Sequence, residues 1–195
     1  MMVKYSDRTA LVVTDIQNDF ADPSGSLFVA GGDEVVRVAN VEIEAARRGG
    51  ALVVYTQDWH PAHTPHFARD GGRWPVHCVG DTWGAQFHPD LRVAGEVVRK
   101  GTGGEDGYSG FTVRDAASGE DAPTRLDGLL RERNIERIVI IGLATDYCIR
   151  ETTMDARRKG FATTVLRRGV RGVNLEPGDD ERALREMEEA GALVE

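Results

Sequence analysis

Residues 137–148 read Arg-Ile-Val-Ile-Ile-Gly-Leu-Ala-Thr-Asp-Tyr-Cys, and this stretch decides the fold. Ile138, Val139, Ile140 and Ile141 form an unbroken β-branched run without the polar alternation of a half-buried strand. Such a run is typical of a strand covered on both faces in a parallel sheet. Parallel neighbours need crossover connections, so helices are expected between the strands. Outward from this stretch, Thr9 to Asp15, Ala51 to Asp58 and Glu96 to Lys100 read as further strands. Phe161 to Leu166 reads as another, and Ala192 to Val194 as a short last one. Asp33 is placed to cap a helix that runs to about Arg48 and stops at Gly49-Gly50. Leu126, Leu129, Leu130 and Arg133 fit a helical turn ended by Asn134. A helix is expected from about Asp146 to Lys159, stopped by Gly160, and a last one from Asp179 to Ala190. The pattern predicts an α/β fold of three layers, a mostly parallel sheet with helices on both faces, in a single domain over residues 1–195.

The chain has 195 residues, with 24 Lys+Arg against 32 Asp+Glu and a net charge of -8. This balance argues against a nucleic-acid backbone or an anionic membrane as the main partner. No run approaches the ~20 apolar residues of a spanning helix, and no secretory leader is visible. Two cysteines make no disulfide framework, so a reducing, cytoplasmic setting is expected. Whether the chain forms a homo-oligomer is left open. Three irregular stretches, Ala21 to Gly32, His60 to Leu91 and Gly101 to Pro123, are long enough to suggest functional loops.

In open parallel sheets, ligands bind outside the carboxyl ends of the strands. The first strand ends at Asp15, the second at Asp58, the third at Lys100, and the fourth runs on to Cys148. Two acids, a lysine and a cysteine thus converge on one rim. Cys148 follows Asp146 and Thr145, either of which can cap a helix, and so falls in a first helical turn. The unpaired amides and dipole there favour a thiolate, although a cysteine is often simply buried. Asp15 suits the role of a base for that thiol and Lys100 that of its electrostatic partner. A strand-end cap and a solvated edge lysine are the plainer alternatives.

Asp58 and His60 alternate at a strand end, and His63, His66 and His77 follow; four of the five histidines lie between positions 60 and 77. Carboxylate with imidazoles suits one divalent transition ion, zinc first, with iron or manganese as alternatives. Cys78 is adjacent to His77 and is not read as a ligand. Phe20, Trp74 and Tyr108 can wall an aromatic pocket, though each alone is ordinary packing. The glycines between Gly101 and Gly110 match neither a P-loop nor a dinucleotide fingerprint.

Together these segments resemble a known family. Asp15 to Phe20, Asp-Ile-Gln-Asn-Asp-Phe, resembles the opening motif of isochorismatase-like cysteine hydrolases. Gln57-Asp58-Trp59-His60-Pro61 and Trp74-Pro75-Val76-His77-Cys78 resemble the metal segments of nicotinamidases, also called pyrazinamidases. Lys100-Gly101 with Tyr108-Ser109-Gly110-Phe111, and Gly142 to Cys148, resemble their lysine and nucleophile segments. The resemblance runs through nearly the whole chain in order.

It implies the isochorismatase-like fold and an Asp15, Lys100, Cys148 triad. It implies a metal held by Asp58, His60 and His77, with His66 as a fourth ligand and His63 as its competitor. It implies a cis peptide before Ala144, with the amides of Ala144 and Cys148 forming an oxyanion hole. Phe20, Leu27, Trp74 and Tyr108 match the wall of the substrate pocket. The implied reaction is hydrolysis of nicotinamide, and of pyrazinamide, to the acid and ammonia through a thioester. The partner is then a small aromatic amide, and the implied role is salvage of NAD. The segment from Gly101 to Tyr108, with Glu105 and Asp106, departs from a fixed family pattern and bears on access for bulkier amides. Isochorismatases and carbamoyl amidases of the same superfamily generally lack the Asp-x-His pair, so Asp58, His60 and His77 argue against them. With every triad position occupied, nothing supports a binding module that has lost its chemistry.

Overall fold

The computed structural model describes residues 3–115 and 118–195. In chain order the strands are β1 (Thr9–Thr14), β2 (Leu52–Asp58), β3 (Glu96–Lys100), β4 (Thr112–Arg114), β5 (Asp121–Pro123), β6 (Arg137–Leu143), β7 (Ala162–Arg171) and β8 (Leu193–Val194). The helices are α1 (Asn18–Ala21), α2 (Gly32–Arg48), α3 (Leu126–Glu132), α4 (Arg150–Arg158) and α5 (Asp179–Glu189). Six strands form one sheet in the order β3-β2-β1-β6-β7-β8, and each neighbouring pair runs parallel.

The alternation within β1 builds three layers. Leu11 and Val13 face one cluster with Val35, Val36, Ala39 and Ile43 of α2. Ala10 and Val12 face the other with Leu126 and Leu130 of α3, Ala156 of α4 and Leu184 and Met187 of α5. Both faces of the central strands are therefore covered, which is why their sequences are apolar without alternation. Each fully buried Val, Leu or Ile stabilises the fold by about 1.5–3 kcal/mol. The strand order reverses direction between β1 and β6, so the crevice at their carboxyl ends is the place where a ligand can enter. Gly142 permits that junction, because it has φ +124° and a Cβ there would lie 2.0 Å from the Thr14 carbonyl oxygen.

Four details differ from the sequence reading. β7 continues past Leu166 to Arg171 after a register shift opposite Ile140 and Gly142. The two arginines do not end it, because Arg167 N bonds Glu195 O and the Arg168 guanidinium reaches Glu42. α2 begins at Gly32 behind Gly31 at φ +77°, and Asp33 sits inside the first turn rather than capping it. The stretch Gly101–Pro123, of which residues 116–117 lie outside the described residues, contains the antiparallel pair β4–β5. Finally, Thr145–Ile149 is a π-helical turn that leads into α4. Among the described residues no helix is long and apolar enough to cross a membrane.

Candidate active site

The rim expected at the strand ends is where four polar side chains meet. Asp15 leaves β1 at φ +50°, a left-handed conformation that aspartate tolerates better than most residues. Asp58 and Lys100 end β2 and β3 as paired residues. Cys148 sits in the π-helical turn after β6, beyond a cis peptide between Leu143 and Ala144. Lys100 Nζ lies 3.0 Å from Asp15 Oδ2 and 3.6 Å from Cys148 Sγ, and it donates to Asp58 Oδ1. Cys148 Sγ and carboxylate oxygens of Asp15 and Asp58 lie within 4.8 Å of one another. Thr56, one strand alternation before Asp58, donates to Asp15 Oδ1 at 2.6 Å. Gln17 holds the end of β2, with Oε1 accepting from Asp58 N and Nε2 donating to Asp58 O.

Burial governs the proton affinities here. The Lys100 side chain is 1% exposed and that of Asp15 0%. Burial works against the Lys100 ammonium, but the Asp15 and Asp58 carboxylates outweigh it and hold the group well above the ordinary lysine range. Burial raises the Asp15 carboxyl, and the Asp58 charge adds to this, against the opposing pull of Lys100. Asp58 is also desolvated, but Lys100 and the neighbouring histidines bring it well below the usual carboxylate range. The Cys148 thiol is pushed up by burial and by the two carboxylates, more than Lys100 pulls it down. Burial beside two acids thus works against the thiolate that a helix dipole alone would favour.

The histidines divide into two kinds. His60, His66 and His77 are buried, with ring nitrogens within 4.8 Å of one another. His63 is exposed, and its Nδ1 lies 3.2 Å from Asp70 Oδ1. Of the two competitors for a fourth ligand, the structure thus brings in His66 and leaves His63 outside. His77 Nδ1 is 2.7 Å from the Pro75 carbonyl, which can only accept, so its proton is on Nδ1 and Nε2 carries a lone pair. His66 Nδ1 is likewise committed, at 2.6 Å, to Asp106 Oδ1. Both ring nitrogens of His60 are buried without a hydrogen-bond partner, an expensive arrangement unless a Lewis acid satisfies one of them. Burial lowers His77 to about 4, so its imidazole is neutral near pH 7, the form that ligates metal. Asp58 Oδ2, 3.8 Å from His60 Nε2, joins this cluster to the Lys100 cluster. The donor set fits a divalent transition ion. Gly101 makes room for the His60 ring: at φ +79°, a Cβ would come within 2.6 Å of His60 Nδ1.

One pocket is lined by Phe20, Leu27, Trp74 and Tyr108 and also by Asp58, His66, His77, Ala144 and Cys148. Trp74 Nε1 donates to Tyr108 OH at 3.0 Å, and Phe20 packs on His77 with ring centroids 5.4 Å apart. Tyr147, Val29 and Val173 also line it and have no mark in the sequence that sets them apart from packing. Thr56 and Gln17 were missed as well, and Asp106 was read only as bearing on access for bulkier amides. Thr56 shares a strand face with Asp58 and Gln17 lies inside the opening motif, so each had a local signal; nothing in the glycine-rich loop tied Asp106 to His66.

Residues 9–195 match the family described as Isochorismatase domain. The chain is 39% identical to a nicotinamidase of Escherichia coli (strain K12), over 95% of this chain and 93% of that protein. The crystal structure of a pyrazinamidase of Pyrococcus horikoshii in complex with zinc superposes with a TM-score of 0.85 at 39% identity, covering 96% of this chain and 98% of the other. PnC1 from L. infantum in complex with nicotinate gives a TM-score of 0.90 at 33% identity, covering 100% of this chain and 96% of the other.

Proposed function

The chain belongs to the isochorismatase family, and from that premise we propose that it is a metal-dependent cysteine amidohydrolase converting nicotinamide to nicotinate and ammonia. Pyrazinamide, a ring of the same size bearing the same carboxamide, is a second substrate. One observation carries the reading: Cys148, which lines an aromatic pocket together with Asp58, His66 and His77, has Lys100 Nζ 3.6 Å from its Sγ and Asp15 beside that ammonium. Residues 1–195 act as one catalytic domain. The two cysteines are both buried and unbridged, as a reducing cytoplasm leaves them.

The residues divide the chemistry as follows. Asp15 accepts the thiol proton as Cys148 Sγ attacks the carboxamide carbon, and Lys100, within 3.6 Å of both groups, offsets the negative charge as it passes from the carboxylate to the sulfur. A carboxyl raised by burial is a stronger base than a solvated one, which suits it to a thiol that is itself raised. The backbone amides of Ala144 and Cys148 stabilise the oxyanion; losing one such donor typically costs about 2.7–4 kcal/mol. Asp15 returns the proton to the leaving nitrogen, the C–N bond breaks, and ammonia departs from a Cys148 thioester. Asp15 then takes a proton from water as its oxygen attacks the thioester, and nicotinate and the thiol are released. Asp58, His60, His66 and His77 would hold the metal, zinc by donor type. When bound, the ion supplies a Lewis-acidic contact for the pyridine nitrogen and so fixes the ring in the pocket.

The direct test is release of nicotinate and ammonia in equal amounts from nicotinamide by zinc-replete protein. Hydrolysis of a carbamoyl amide with nicotinamide untouched would overturn the assignment. Removing the metal by chelation is expected to raise KM for nicotinamide. A ring contact worth roughly 1.5–3 kcal/mol corresponds to about ten- to a hundredfold. An unchanged KM in metal-free protein would exclude a positioning role for the ion.

The acid limb of the pH profile follows from Asp15. It must be ionised to act, and its carboxyl is raised from 3.8. Activity is therefore expected to fall, as pH drops, through an apparent pKa above that of an ordinary aspartate. Because Lys100 stays protonated well above its ordinary value, no loss of its charge is expected through neutral pH. Measured as kcat/KM with metal loading checked at each pH, a limb at or below an ordinary aspartate would contradict the assignment of the base.

A further inference from the structure

We infer that Asp106, in the loop between Lys100 and Tyr108, is a positioning residue for the metal centre, holding His66 with Nε2 turned to the ion. The inference rests on the reading of His60, His66 and His77 as ligands. Asp106 Oδ1 lies 2.6 Å from His66 Nδ1. A carboxylate only accepts, so Nδ1 carries the proton and the lone pair is left on Nε2. The His66 side chain is 5% exposed while that of Asp106 is 47% exposed, so the pair runs from the buried cluster out to the surface of the loop.

The loop is built to present this carboxylate. Asp106 N donates to Arg114 O at 2.7 Å and Arg114 N to Asp106 O at 2.6 Å, which locks the residue against β4. Gly107 N donates to the same Oδ1 at 2.8 Å and fixes the rotamer. A second tie, from Thr64 Oγ1 to Gly104 O at 3.0 Å, joins the loop to the segment that carries His66. His63, three residues away and paired with Asp70, has no such link to the cluster. An anionic partner on the far nitrogen makes an imidazole a better donor and fixes its tautomer and ring plane. Breaking such a pair typically weakens metal binding about 10–100-fold.

The test is zinc affinity, measured on the full chain by competition with a chromophoric chelator, without substrate. Asp106→Ala is expected to weaken zinc binding about 10–100-fold. Asp106→Asn, which keeps an acceptor for Gly107 and so the turn, is expected to weaken it less, and Asp70→Ala not at all. In a His66→Ala background, Asp106→Ala is expected to add nothing, since its effect passes through that ring. Zinc binding at the wild-type level in both Asp106 variants overturns the inference while leaving the ligand set intact. An equal loss in the His66→Ala background also overturns it, because the carboxylate would then act through the loop rather than through His66. A wild-type chain that binds no zinc overturns the ligand reading and this inference with it.

Discussion

Cys148→Ala is expected to lower kcat for nicotinamide by roughly 10⁴–10⁶-fold, the span seen when members of a nucleophile–base unit are removed singly. Without Sγ no thioester can form, and water must attack an amide that the pocket still binds. KM is therefore expected to change far less than kcat. The exchange is nearly neutral for the fold: Cys148 is buried but unbridged, and alanine takes its place in the turn without leaving an unpaired polar group. Asp15 and Cys148 act as one unit, so adding Asp15→Ala to Cys148→Ala is expected to cost little more, although each alone is severe. The measurement is ammonia release by the purified variant, with zinc content and thermal midpoint recorded beside it. Turnover within tenfold of the wild type would remove Cys148 from the reaction and, with it, the whole division of labour proposed for the rim.

How much of this was legible before the structure depends on which physical signal each feature leaves in the chain. The sheet was legible because strands covered on both faces must be apolar throughout, as Ile138 to Ile141 are. The rim followed from the same signal, since parallel strands all deliver their carboxyl ends to one side; the pairing of Asp58 with Lys100 is that rule in one register. What could not be read was set by contacts between loops. His63 and His66 sit in the same irregular stretch, yet one is left exposed beside Asp70 and the other is buried against Asp106. The forces that oppose a Cys148 thiolate were not legible, because a helix dipole can be read from sequence, whereas burial beside Asp15 and Asp58 cannot. β4 and β5 escaped notice because strands of three residues carry too little alternation to stand out. The onward run of β7 was hidden by Arg167 and Arg168, whose partners come from the chain terminus and from α2.

Lys100→Met is the substitution whose damage extends furthest beyond the chemistry. The ammonium separates two buried carboxylates, Asp15 and Asp58, and methionine fills much the same volume without charge. Removing one partner of a buried pair typically costs about 3–5 kcal/mol. For a chain of this length that is a fall of about 6–20 °C in thermal midpoint. The loss has a definite dependence on pH. Without Lys100, both carboxyls in the folded state have pKa values above their unfolded ones, so the native state binds protons more tightly than the unfolded state does. Stability relative to the wild type is then lowest at neutral pH and recovers on acidification through the raised carboxyl pKa values. Asp58→Asn added to Lys100→Met is expected to restore part of the midpoint by removing one of the facing charges. Activity does not recover with it, because a base that stays protonated cannot take the thiol proton, and general-base assistance of this kind is worth roughly 10²–10⁴-fold. Thermal unfolding of the metal-free variant at neutral and mildly acidic pH decides the matter. Equal midpoints for variant and wild type at neutral pH would mean that Lys100 is a dispensable edge residue, and that something other than its charge keeps Asp15 and Asp58 together.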